Sequence, residues 1–203
     1  MTNVPAVLPR IAASLMIALL AVTTVDGRVV RRESTNRTYA ALAVFEQRVE
    51  AYAALHRRLA PMPLGSALDR RSLTITRTVF ASAIVAARAT ARQGDIFTPD
   101  AARFFRMVIR ETTSAADVGK AVPLMDEDGR VLPGIHPEIN MPFPAWETRE
   151  LPASTLFMLP TLPRELEYRV VDYDLVLWDV SADLIVDVLP YAVAHPASDA
   201  IYR

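Results

Sequence analysis

The stretch "LEYRVVDYDLVLWDVSADLIVDVLP", Leu166 to Pro190, changes the hydrophobic period of the chain and decides the fold class. Within it Tyr168 to Val171, Leu175 to Val180 and Leu184 to Leu189 are short runs of branched and aromatic residues, separated by "DYD" and "SAD". Such runs between turn residues predict an antiparallel meander of about three strands. Alternation along the second run puts Leu175, Leu177 and Asp179 on one face, with Val176, Trp178 and Val180 on the other. The third run divides into Ile185, Asp187 and Leu189 against Leu184, Val186 and Val188. Both faces are largely apolar, so helices must cover at least one of them.

Those helices are expected upstream. Ser34 can cap a helix that runs to Pro61, with Leu42, Phe45, Val49, Tyr52 and Leu59 along one stripe and His56 between the last two. After "PMPLGS" comes a second helix around "LDRRSLTITRTVFASAIVAARATARQ", where Phe80, Ala83, Ile84 and Ala87 share a face and Gly94 is the stop. A third starts with Thr98 as N-cap, Pro99 in the first turn and Asp100 at the positive end of the dipole. It buries Phe104, Phe105, Val108 and Ile109, and its polar side carries Arg103, Arg106 and Arg110. From Pro123 to Pro163 the chain holds eight of its 15 prolines, a density that excludes long helices. Apolar anchors such as Phe143, Trp146 and Phe157 make this an ordered wrap over the core.

The expectation is therefore α+β: three N-terminal helices on a small C-terminal antiparallel meander. Residues 1–27 read as a signal peptide, since Arg10 precedes an uncharged apolar run from Ile11 to Val25 that is short for a membrane span. The small-residue cleavage rule is met only loosely, by Ala21 with Thr23 or Val25 with Gly27. An uncleaved anchor is the alternative, and membrane association would then run through residues 11–25. Residues 28–203 form one domain, made of a basic helical part (28–111), the wrap (112–165), the meander (166–190) and a tail (191–203). The 203 residues contain no cysteine, which excludes disulfides, thiol catalysis and a lipoprotein anchor. A net charge of −1 conceals an asymmetry: residues 28–111 carry 15 basic against 7 acidic side chains, and residues 112–203 carry 6 against 15. The two parts can attract each other within one fold.

"RQGDIFTPD" (Arg92 to Asp100) and "LPRELEYRVVDYDLVLWDVSADLIVDVLP" (Leu162 to Pro190) resemble blocks of a group of uncharacterised exported bacterial proteins. The resemblance implies export, helices followed by a strand-rich end, and no particular activity or site.

Candidate chemistry rests on acids. Asp172, Asp174 and Asp183 lie in or beside expected turns, where the side chain bonds local backbone. Asp179 and Asp187 fall inside strands, on comparable faces, and are the candidate catalytic pair for acid-dependent or metal-dependent chemistry. The bland alternative is that an arginine from the basic part holds one or both. "DEDG", Asp126 to Gly129, resembles a calcium loop, but its ligand register fails: Leu124 and Ile135 would occupy the first and twelfth positions. His136 and Glu138, with Asp126 and Asp128, are the remaining candidate metal ligands. His56, His136 and His195 have no zinc-type spacing. No nucleophile elbow, dinucleotide fingerprint or phosphate-binding loop occurs, so no cofactor is expected. Interspersed glutamates argue against nucleic acid as a partner. The expected function is an exported, non-catalytic binding or scaffold domain with a protein or envelope partner. The rivals are an envelope enzyme using Asp179 and Asp187, and a membrane-tethered interaction protein.

Overall fold

A computed structural model describes residues 26–61, 70–113, 136–143 and 148–193. Among the described residues four helices, α1 (Asp26–Leu59), α2 (Arg70–Ala87), α3 (Pro99–Thr112) and the short α4 (Ala153–Met158), accompany four strands. The strands are β1 (Arg149–Glu150), β2 (Leu166–Val171), β3 (Asp174–Asp179) and β4 (Leu184–Leu189), in one antiparallel sheet of order β1-β2-β3-β4. The expected α+β class is the observed one. The meander gains a short fourth strand and α4, both from the proline-rich segment; of the anchors expected there Phe143 is buried, Phe157 is 89% exposed and holds nothing to the core, and Trp146 lies outside the described residues.

The chain divides at Arg37 within α1. Up to that point the described residues are the opening turns of α1, where Arg37 and Glu33 pair at 3.9 Å. Ser34 is thus interior to the helix and does not cap it. No proline interrupts the residues before it, and the i, i+4 pair favours continuation.

From Thr38 onward the helices bury one face against the sheet. Phe45, Val49 and Tyr52 of α1, Phe80 and Ile84 of α2, and Phe105, Val108 and Ile109 of α3 form one core with Leu166, Val170, Leu175, Leu177, Leu184 and Leu189. Phe45, Phe97, Phe105 and Tyr168 form its aromatic centre, with ring centroids 4.8–5.8 Å apart. The opposite face of the sheet buries Val171, Val176, Trp178, Ile185 and Val188 beneath Phe143 and Ile139. Trp178 Nε1 donates to the Phe143 carbonyl at 2.9 Å, so the buried indole is satisfied.

Helix boundaries follow local chemistry. Thr98 caps α3 by accepting from the Ala101 N–H at 3.3 Å, and Pro99 opens the helix as expected. By contrast α2 ends at Ala87, well before Gly94. The Arg88 carbonyl accepts from Asn140 Nδ2 at 3.0 Å, a tertiary bond that fixes the chain leaving the helix. Gly94, at φ +85°, serves a later turn.

One departure from alternation shapes everything that follows. Leu177 faces Asp187 and Trp178 faces Ile185, which leaves Val186 as an extra residue in β4. This bulge places Val186 and Asp187 both toward the helices, whereas strict alternation would have set them on opposite faces. Ile185 and Val188 consequently share the far face, correcting the alternation expected from sequence.

Phe105 is fully buried and meets four aromatic neighbours, so Phe105→Ala should lower stability by about 3–5 kcal/mol in urea denaturation. Met107→Ala, on the same helix but 49% exposed, should stay within about 0.5 kcal/mol.

Candidate functional site

Asp179 and Asp187 both point from the sheet toward the helices, and neither exposes any surface. Asp179 ends β3. Its Oδ2 accepts from Tyr52 Oη at 2.6 Å and from His56 Nδ1 at 2.7 Å, both on α1. The ionised carboxylate can only accept, so His56 Nδ1 carries the hydrogen. Oδ1 accepts from the Ser181 and Ala182 N–H groups at 2.9 and 2.8 Å, closing the turn into β4. Burial is the largest single influence on this carboxyl and raises its pKa. The hydrogen bonds from His56, Tyr52 and the Ala182 N–H together outweigh it, and the pKa lies below the usual value.

Asp187 is held differently. Its Oδ1 accepts from the Gly94 and Val188 N–H groups, each at 2.8 Å, and its Oδ2 from those of Ile96 and Phe97, each at 2.7 Å. The loop between α2 and α3 therefore folds around one carboxylate through its backbone. Positive φ at Gly94 turns the chain so that these amides converge. Burial raises this carboxyl above its ordinary pKa, and the four N–H bonds pull it back toward ionisation. All four partners are donors, an arrangement that suits the carboxylate and offers nothing to a bound proton.

Arg88 lies close to both acids without pairing with either. Its guanidinium donates to Asn140 Oδ1 at 2.9 Å and to the Val186 carbonyl at 2.8 Å, and stacks 5.1 Å from the Tyr52 ring centre. Burial lowers its pKa, and the charges of Asp187, Asp95 and Asp179 act in the opposite direction. Among the described residues neither carboxylate has the arginine partner expected from sequence. An imidazole, a phenol and backbone amides take that place, because the bulge and the helix ends bring them closer. The basic part does meet the acidic part elsewhere, as Arg77 with Asp183 and Arg57 with Glu165. Glu165 Oε2 is buried and has no hydrogen-bond partner among the described residues.

Among the described residues the remaining candidates do not converge. Asp172 and Asp183 adopt positive φ, 52° and 51°, in the two turns of the meander, and Asp174 Oδ1 accepts from the Tyr191 N–H at 2.9 Å. Burial raises the Asp174 carboxyl above its usual value. His136 and Glu138 are exposed, while Asp126, Asp128 and His195 lie outside the described residues. Among the described residues no three acidic or histidine side chains gather as a metal site would require. Sequence reasoning identifies His56 only as a buried stripe residue and does not mark Tyr52, Arg88 or the 94–97 amides as partners of the acids. The polar residues on the α1 stripe are the available signal.

The outer edge of β4 is closed. Residues 140–143 bond it through Asn140 N–H to Ile185 O (2.8 Å), Ile185 N–H to Met141 O (3.0 Å) and Phe143 N–H to Asp183 O (2.8 Å). Arg88 then takes the Val186 carbonyl and Asp187 the Val188 N–H. Beside this edge runs a groove of about 840 Å³ between α2 and the residues around Pro142 and Leu184. Its lining is mainly apolar, with Leu73, Ala81, Val85 and Leu184, and Arg77 and Asp183 meet at its rim.

Comparison of the chain with protein-family models, with curated proteins and with solved structures gave no match.

Asp179→Ala should cost about 3–5 kcal/mol, because it strands Tyr52, His56 and two N–H groups in the interior. The pH sign follows from the lowered pKa: the ionised Asp179 contributes stability above the unfolded value of about 3.9, and that contribution is lost as pH falls through the lower folded value. His56, Tyr52 and Arg88 are the titratable groups around it, and none of the three gains from loss of the negative charge. Denaturation of Asp179→Asn across pH 2–6 should therefore give a flatter acid limb than the parent chain.

Proposed function

We propose that the chain is an exported, non-catalytic binding domain of the cell envelope, and that its two strand aspartates are structural. The observation that carries this reading is the complete occupancy of both carboxylates. Each is withdrawn from solvent and accepts four hydrogen bonds, so neither has a free oxygen for a substrate, a water nucleophile or a cation. General acid–base work needs a group that reaches the reacting atom, and metal binding needs oxygens that converge on one point.

The groove beside α2 has the size and apolar character of a recognition surface. Strand addition at β4 is blocked, so a partner there would pack side chains against α2 instead of extending the sheet. The export half of the reading is supported by the apolar run from Ile11 to Val25 behind Arg10 and by the resemblance of the "RQGDIFTPD" and Leu162–Pro190 blocks to exported bacterial proteins. No helix among the described residues is long and apolar enough to cross a membrane. A tether, if the chain has one, would be the N-terminal apolar run.

Ala86 is exposed and lines the groove, so Ala86→Arg fills it without disturbing the core. A crosslinked envelope partner of the parent chain should be lost in Ala86→Arg and retained in Asp179→Asn and Asp187→Asn. A hydrolytic activity that disappears in either aspartate variant while its circular dichroism is unchanged would replace this reading with the envelope enzyme.

A further inference from the structure

We infer that α4 is a membrane-inserting tip, and that the partner it fits is a lipid surface. The inference rests on the envelope reading above and gives that reading one concrete contact. Leu156, Phe157 and Met158 are consecutive, large and apolar, and are 41%, 89% and 54% exposed. A nearly bare phenylalanine between two other exposed apolar side chains is an unusual arrangement on a soluble surface.

The tip is rigid. Pro152 precedes α4 and Pro160 follows it, and Leu151 and Leu159 are buried on either side. Thr155 is buried beneath, its hydroxyl bonded to Thr113 Oγ1 at 2.7 Å and to the Thr112 carbonyl at 3.3 Å. The helix is thereby fastened to the end of α3 while its outer side stays bare. Little conformational freedom remains to be lost on insertion.

Composition favours lipid as the occupant. From Leu151 to Pro163 the sequence "LPASTLFMLPTLP" contains no charged residue, so the outer side of α4 brings no charge of its own into the contact, and the charged Glu150, Glu167 and Arg169 lie in the hollow beside Leu156. An arginine stands on each side of it, Arg149 and Arg164. The Arg164 side chain is 90% exposed, with its Nε 3.5 Å from Glu165 Oε1, and has the reach to extend toward lipid phosphates while the tip sits below them. Glu150 and Glu167, in the hollow beside Leu156, are both paired to Arg169, which reduces their repulsion from an anionic surface.

The test is local, because the N-terminal apolar run can bring the full chain to lipid by itself. Full-length Phe157→Trp is mixed with phosphatidylethanolamine–phosphatidylglycerol vesicles, with the parent spectrum subtracted to remove Trp146 and Trp178. The expected result is a blue-shifted emission from the introduced indole, quenched by brominated acyl chains. In the Phe157→Trp background Met158→Asp, at an exposed site, should reduce the lipid quenching of the introduced indole severalfold. Val79→Asp, at an exposed apolar position on α2, should leave that quenching unchanged. Sedimentation of the Phe157→Trp chain with vesicles while its introduced indole keeps a water-exposed, unquenched emission would overturn the inference and leave the envelope reading standing. A blue shift that appears without lipid and grows with protein concentration would also overturn it, assigning the tip to a second copy. Fractionation of producing cells reports on the envelope reading separately: a cytoplasmic chain whose introduced indole is still quenched by lipid would sink that reading alone.

Discussion

A buried carboxylate with no cationic partner within bonding distance among the described residues is the constraint around which this domain is arranged. Removing a carboxylate from water costs several kcal/mol after relaxation. Hydrogen bonds to a charged acceptor contribute roughly 1.5–3 kcal/mol each, so the four amides around Asp187 are enough to meet that cost. They must all arrive together, which is a geometric demand on two distant parts of the chain. The bulge at Val186 turns Asp187 inward, and Gly94 turns the α2–α3 loop over it. Once that loop is fixed, Phe97 lies against Phe45 and Phe105, and Thr98 is placed to cap α3. Asp179 repeats the principle on α1, through Tyr52 and His56, and at the same time closes the β3–β4 turn.

The same two residues explain why recognition and not catalysis is the better reading. An active-site carboxylate is kept short of partners or within reach of solvent, so that substrate completes its coordination. Here the fold itself completes it. The apolar surfaces left bare among the described residues include the groove along α2 and the α4 tip. Ala182, which donates to Asp179, also lines the groove, so a change that spares the clasp is one made on the α2 wall.

Much of this architecture was legible in the sequence. The period of two in Leu175 to Asp179, the apolar stripe of α1, and the Thr98-Pro99-Asp100 start of α3 each specify local geometry through short-range chemistry, and each is present as read. The bulge was not legible, because Leu184 to Leu189 alternates without a glycine or other mark at Val186, and only pairing with β3 reveals the extra residue. The partners of the acids were hidden for a related reason. Backbone amides carry no side-chain signature, and "GDIF" reads as a turn whether or not a carboxylate sits inside it. Charge asymmetry pointed to arginine as the natural counterion, but arginine found other acids and carbonyls, and the buried positions went to groups already fixed in place. Ser34 and Gly94 illustrate the limit of capping signals: α1 runs through Ser34 on local helix chemistry, and α2 ends before Gly94, where Asn140 takes the Arg88 carbonyl.

The most direct measurement is native-state amide hydrogen exchange at Gly94, Ile96, Phe97, Ser181 and Ala182, which all lie in loops. If the buried carboxylates hold the fold as described, Ile96, Phe97 and Ala182 exchange as slowly as the amides of β3 and β4, with Gly94 and Ser181 somewhat faster. Exchange of all five at the rate of exposed loop amides would contradict the account, because the acids would then be free for other partners.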